Sequence, residues 1–347
     1  MGSEMCIRDR FPLDFDRHAE LNTADNSIFV LEGDEYPSSN TDPRPKFAHY
    51  TPQDVILTSA TPDHPEIYPT AADFRKPFAT LLTGLPTNGK LVVCVDNEYA
   101  QDLIQETNAE VITYGLHDNA TYQAQEIHLN DPSSFALTKD GKFLTTISTP
   151  LLGAHNIQNI VGVAALCIER GWLTPQQVAN AIENFHGIRR RLINLTAGCA
   201  IPVLEAFGST DQKLSSALQA VRAHYPSKRV VLVFEPSTFG WRNRPTSHWY
   251  SSEAFGEADD IIVTWLSSFD AANDQRLGHA EITERIRKAA TGNVQAMDDP
   301  ETVLRWLKTE CRGNEVVLLS SSRTLMGLTE SVPAWVKQSF AQTTKAA

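Results

Sequence analysis

A chain of 347 residues is long enough for two domains with sizeable cores, and 41% apolar with 21% charged residues is globular rather than disordered composition. A net charge of −12 argues against nonspecific nucleic-acid binding and against adhesion to anionic membrane, though a few local donors could still hold a phosphate-bearing small ligand. No apolar run approaches a membrane span, and five cysteines without a C-x-x-C pair read as reduced thiols of a cytoplasmic protein.

Val- and Ile-rich runs alternate with helical patterns, which predicts an α/β chain with mainly parallel sheets. Strands are expected over 27–32, 54–59, 90–96 and 110–115, with helices over 72–82 and 98–107. Residues 121–150 read as antiparallel strands, with KDGK (139–142) as a hairpin tip. Helices follow over 156–170 and from Thr174-Pro175, an N-cap followed by proline at the first helical position. The rhythm then restarts, with strands expected over 201–207, 229–235, 260–266 and 315–321 and helices over 211–224 and 301–309. The restart places a domain boundary near 192–200, dividing the chain into 11–195 and 196–347. The second part reads as Rossmann-like, although it contains no G-x-G-x-x-G.

Four blocks carry chemistry. FVLEGDEY (29–36) ends a strand-like run in three acids, at the strand end where α/β proteins place ligands. Magnesium takes one or two such carboxylates beside phosphate, and a solvated acidic turn fits the same residues equally well. PDHPEIYP (62–69) puts His64 just past a strand, a metal neighbour or, as is commoner for a lone histidine, a structural residue. LLGAHNIQN (151–159) opens a helix whose first turn carries His155, Asn156 and Asn159. The two amides share one face and suit either a nucleobase edge or helix capping. FHGIRRRL (185–192) adds three arginines, which match phosphate or form a solvated basic face.

In this order and spacing the blocks, with R-P-K-F-A-H-Y (44–50) downstream of the acids, resemble the Mur ligase family of peptidoglycan synthesis. The likeness is strongest to its murein-peptide branch. It runs from about residue 11 to 340 and weakens after 192. The resemblance implies a partial central ATP-binding domain followed by a C-terminal Rossmann-like domain. It implies ATP and Mg2+ as cofactors, and joins UDP-N-acetylmuramate through an acyl phosphate to L-Ala-γ-D-Glu-meso-diaminopimelate, with no nucleic-acid or membrane partner. Glu32 then matches a magnesium ligand and His64 the histidine near a second magnesium, the two catalytic positions. Asn156 and Asn159, in the H-N-x-x-N that His155 opens, match the adenine contacts, and Arg191 matches an arginine reaching the nucleotide phosphates.

The sequence also departs from the family. Neither Gly89-Lys90 nor Gly141-Lys142 is followed by a hydroxyl residue, so the G-T-x-G-K-T loop that cradles ATP phosphates is missing. The D-D-(Y/F)-(A/G)-H-x-P block corresponds to LEAFGSTD (204–211), which puts Ala206 at the second acid and Ser209 at the histidine, unless a one-residue register shift lets Glu205 substitute. The glycine-rich turn near the end is SSSRTLMGL (320–328). The expectation is a chain lacking its first domain and the start of its second, inactive by itself. A non-catalytic paralogue that binds nucleotide or peptidoglycan precursor is the alternative. MGSEMCIRDR fits this picture, since Glu4 to Arg10 reads as a translated transposase-type sequencing adapter, a scar outside the fold.

Overall fold

The structure, a computed structural model, describes residues 13–14, 28–62, 67–117, 119–130, 132–264 and 276–341. The adapter-like residues 1–10 and His64 lie outside them. The chain divides into two compact units; among the described residues one is built from 28–150 and 154–185, the other from 13–14, 151–153 and 186–341.

A short hairpin, β1 (Pro37–Ser39) and β2 (Asp42–Pro45), precedes the main sheet of the first unit. That sheet joins β3 (Asp54–Leu57), β4 (Lys90–Cys94), β5 (Glu110–Gly115), β6 (Tyr122–His128), β7 (Ser133–Lys139) and β8 (Lys142–Thr149) in sequence order. β3 to β6 are parallel, and β6 to β8 form an antiparallel meander. The KDGK tip closes as expected, with Asp140 and Gly141 at φ 49° and 71°, the positive values that a two-residue hairpin turn requires. Helix α1 (Ala71–Thr83) is capped by Thr70, whose side chain accepts from the Asp73 N–H. Helix α2 (Ala154–Glu169) buries Ile157, Ile160, Val161, Ala164 and Ala165, the spacing of one apolar face. Helix α3 (Pro175–Glu183) starts in a reciprocal capping box between Thr174 and Gln177.

Two expectations fail in this unit. Residues 28–32 form no strand, and Ile28, Phe29, Val30 and Leu31 are exposed. β3 is the edge of the sheet among the described residues, so this apolar run has no ladder to join; composition makes a strand only where a partner exists. The single helix expected over 98–107 is instead a turn at Glu98–Gln101 and a 3-10 turn at Ile104–Glu106. Between them Leu103 is fully buried.

The second unit has the sheet order β13-β12-β11-β14-β10-β9. It contains β9 (Arg191–Asn194), β10 (Val203–Ala206), β11 (Arg229–Phe234), β12 (Asp260–Thr264), β13 (Asn293–Met297) and β14 (Glu315–Ser320). All are parallel except β9, which runs antiparallel to β10. Because β9 joins this sheet, the second unit begins at His186, ahead of the break expected near 192–200. Helices α4 (Asp211–His224), α5 (His279–Ala289), α6 (Pro300–Glu310) and α7 (Leu328–Ser339) complete it. Two separate apolar clusters form on the sheet. One draws Leu214, Leu218, Ile282 and Ile286 from α4 and α5, and the other draws Val303, Leu307, Val332 and Val336 from α6 and α7. β12 and β14 are buried along their whole length, as parallel strands covered on both faces must be.

Candidate functional site

In the first unit the carboxyl ends of β4 and β5 organise the helix that carries His155, Asn156 and Asn159. Asp96, two residues past β4, accepts from the Leu116 N–H at 2.7 Å and the His117 N–H at 3.3 Å. Its Oδ2 also accepts from Gln158 Nε2 at 2.7 Å, which locks the first turn of α2 to the strand ends. Gly115 permits this approach, because a Cβ there would stand 2.7 Å from Asp96 Oδ1. Asn156 is half-buried on that turn, and His155 and Asn159 are exposed. The structure thus brings together the three residues expected at the nucleobase.

Asn97 performs the matching task for the histidine-bearing loop. Its Oδ1 accepts from the Ala60 and Ala100 N–H groups, and its Nδ2 donates to Thr61 Oγ1 at 2.7 Å. At the far end of that loop the Tyr68 hydroxyl donates to the Glu35 carbonyl at 2.6 Å, fastening the acidic block beside it. Burial, and then the charges of Glu35 and Asp34, push the Tyr68 phenol up, so it remains a protonated donor. Within the block Asp34 is committed to Lys46, 2.6 Å from its carboxylate, while Glu32 is exposed. Among the described residues no three His, Cys, Asp or Glu side chains converge on one point. A hard carboxylate on an exposed segment fits magnesium in chemical type, since magnesium often takes one protein oxygen and the rest from phosphate and water.

Arg191 lies in the second unit, exposed on β9 and in register with Ala206. Its neighbours Arg190 and Leu192 hold φ of 63° and 55°, left-handed conformations that cost non-glycine residues roughly 1–2 kcal/mol each. Arg190 holds this corner. It donates to the Ser321 carbonyl at 2.9 Å and to the Arg323 carbonyl, stands 3.6 Å from Glu205, and lies 5.1 Å over the Phe207 ring. The β10–β14 ladder is continuous, pairing Glu205 with Leu319 and Ala206 with Ser320. Glu205 therefore faces the opposite side of the sheet from Ala206 and is engaged by Arg190, so it does not move into the vacated acid position. The degraded glycine turn keeps left-handed geometry with a single glycine: Leu325 and Met326 stand at φ 49° and 50°, beside Gly327 at 82°.

Asp96, Asn97, Gln158 and Arg190 were not singled out in sequence as positioning residues. The available signal was place, since Asp96-Asn97 directly follows a fully buried strand and so sits at the ligand-bearing edge.

Residues 16–167 match the family described as the Mur ligase middle domain. A UDP-N-acetylmuramate–L-alanine ligase of Desulfosudis oleivorans is 26% identical over 304 residues, which cover 87% of this chain and 64% of that one. The fold is shared with a murein peptide ligase from Psychrobacter arcticus, at TM-score 0.58 and 19% identity over 94% of this chain and 66% of that one. It is also shared with a MurF ligase from Thermotoga maritima solved with ADP, at TM-score 0.62 and 13% identity over 82% of this chain and 62% of that one. The chain thus spans about two thirds or less of the length of these relatives.

Proposed function

We propose, from the match of residues 16–167 to the Mur ligase middle domain, that the protein is part of an ATP-dependent ligase of peptidoglycan precursors. In this reading it joins the carboxylate of UDP-N-acetylmuramate to an amine. The observation that carries the reading is the single turn holding His155, Asn156 and Asn159, fixed by Gln158 to the strand-end carboxylate of Asp96. The paired amides suit an adenine edge, each offering one donor and one acceptor. Glu32 would hold magnesium together with nucleotide phosphate, and His64 is the second metal residue of this reading. Bound ATP and magnesium supply the activation of the carboxylate and the neutralisation of the transferring phosphoryl group. Within the first unit the chain's own residues would position the base and anchor the cation; in the second unit Arg191 is by itself a bidentate donor suited to phosphate.

The sequence contains no phosphate loop, and we propose that this chain alone does not turn over ATP. For the amine we favour L-Ala-γ-D-Glu-meso-diaminopimelate, on the E-G-D-E-Y block and the R-P-K-F-A-H-Y that follows it. L-Alanine is the second reading, favoured by the name of the curated relative. Steady-state ligation assays with each amine, on the chain extended by its genomic upstream sequence, separate the two. Ala206, buried where an acid is expected, motivates a third outcome, micromolar Mg-ATP binding without turnover with any amine.

A further inference from the structure

The amino edge of the second unit's sheet, opposite the carboxyl ends of its strands, holds an open depression of about 450 Å3. That volume falls within the range of small-molecule sites. Three strands begin on its wall: β11 at Arg229, β12 at Asp260 and β13 at Asn293. Arg222, from the last turn of α4, and Lys228 and Asp259 bring the charged groups there to three cations and two carboxylates.

Two of these groups are engaged on one side and open on the other. Asp259 Oδ2 accepts from Arg222 at 2.8 Å and from the Val230 N–H at 2.7 Å, while among the described residues nothing donates to its Oδ1. Arg229 Nε donates to Asp260 Oδ2 at 2.5 Å, and Asn293 Nδ2 lies 3.3 Å from the other oxygen, so both oxygens of the buried Asp260 are engaged. The two terminal nitrogens of Arg229 bond to nothing among the described residues, and the Trp306 ring, 5.8 Å away, lies against the guanidinium. The side chains of Arg229 and Asp259 remain 35% and 47% exposed, which leaves the open halves within reach of a ligand. Lys228 adds positive charge, since its ammonium is held by the Ala200 and Gly313 carbonyls at 2.9 and 3.2 Å and by no carboxylate among the described residues.

The open groups have opposite signs, and this selects the ligand. A simple anion drawn to Arg229 and Lys228 would also meet the Asp259 carboxylate, and a simple cation drawn to Asp259 would meet the two basic side chains. A molecule carrying both charges satisfies both. The paired terminal nitrogens of a guanidinium match a carboxylate, and a free carboxylate oxygen accepts from an ammonium.

We propose that this amino-edge depression binds a small zwitterion, its carboxylate on Arg229 and Lys228 and its ammonium on Asp259. These residues all belong to the second unit and none has a part in the ligase reading, so the site stands or falls independently of it.

The test is an NMR titration of the whole chain with glycine, β-alanine and γ-aminobutyrate, zwitterions of increasing charge separation. Acetate and methylammonium, which carry one charge each, are titrated at the same ionic strength. Amide resonances of Val230, Asp259 and Asn314 report binding at this edge. Saturable shifts are expected with at least one zwitterion, with an affinity about tenfold or more above that of either single ion. Asp259→Asn keeps an acceptor for the Val230 N–H, and Arg229→Lys keeps the charge and a donor for Asp260. Each should weaken zwitterion binding about tenfold or more, the worth of one charge-assisted hydrogen bond. Thermal melts check that both variants are folded, and the comparison with the single ions decides the matter in the unmodified chain. No shifts with any zwitterion up to about 50 mM, a single ion binding as tightly as the zwitterions, or unchanged affinity in either folded variant would overturn the site.

Discussion

Gly162 gives a prediction whose sign separates local propensity from packing. It lies inside α2, where alanine is favoured over glycine by about 1 kcal/mol. A Cβ at this position would stand 2.7 Å from Cζ of Tyr114 and 3.0 Å from each Cε, well inside the 3.5–4.0 Å of ordinary carbon contact. Tyr114 is fully buried on β5, so its ring cannot swing into solvent. Overpacking of this kind costs about 1–3 kcal/mol, and Gly162→Ala is therefore expected to destabilise the first unit by roughly 0–2 kcal/mol after the propensity gain. In a Tyr114→Leu background, which removes the ring, the same change should be stabilising by about 1 kcal/mol. Native-state hydrogen exchange at the Ile160 and Val161 amides is the suitable assay, because it reads this unit's opening without assuming one transition for a two-unit chain. Stabilisation by Gly162→Ala with Tyr114 present, or an identical effect in both backgrounds, would refute the packing argument.

Glu32→Gln should weaken magnesium binding in the nucleotide complex by at least tenfold, measured by titrating Mg2+ against nucleotide binding in the extended protein. Asn156→Ala and Asn159→Ala should each raise the dissociation constant for adenine nucleotide up to about tenfold, the worth of one hydrogen bond, while leaving a nucleotide with another base less affected. Glu169 gives a pH dependence. Burial alone would raise its carboxyl, but bonds at 2.5 Å from Lys139 and from the Tyr122 hydroxyl outweigh it and hold the group below its ordinary value of 4.5. A depressed carboxylate contributes stability that is fully present above the unfolded value and disappears as pH falls through the folded one. The melting-temperature deficit of Glu169→Gln should accordingly be constant above about pH 5 and shrink on acidification below 4.5.

What was legible in the sequence was what local chemistry decides. Asp140-Gly141 demands a primed turn, Thr174 and Gln177 write out a capping box, and the buried runs of β4, β11, β12 and β14 announce covered parallel strands. Features that depend on a partner distant in the chain were not legible. Ile28 to Leu31 look like a strand, yet a strand is a pairing and no described neighbour pairs with them. Glu205 looked able to replace an acid at 206, but alternation across β10 and the pull of Arg190 settle which face it takes. The candidate nucleotide turn was found by motif, whereas the Asp96–Gln158 bond that fixes it spans 62 residues and leaves no local trace.

The most direct test of the ligase reading is ADP release from Mg-ATP by two proteins, this chain and the chain extended by its genomic upstream sequence. Each is assayed with UDP-N-acetylmuramate and with the tripeptide or L-alanine. The account predicts none from the chain alone, and amine-dependent release from the extended protein. Release by the chain alone, or none from the extended protein with either amine, would contradict it.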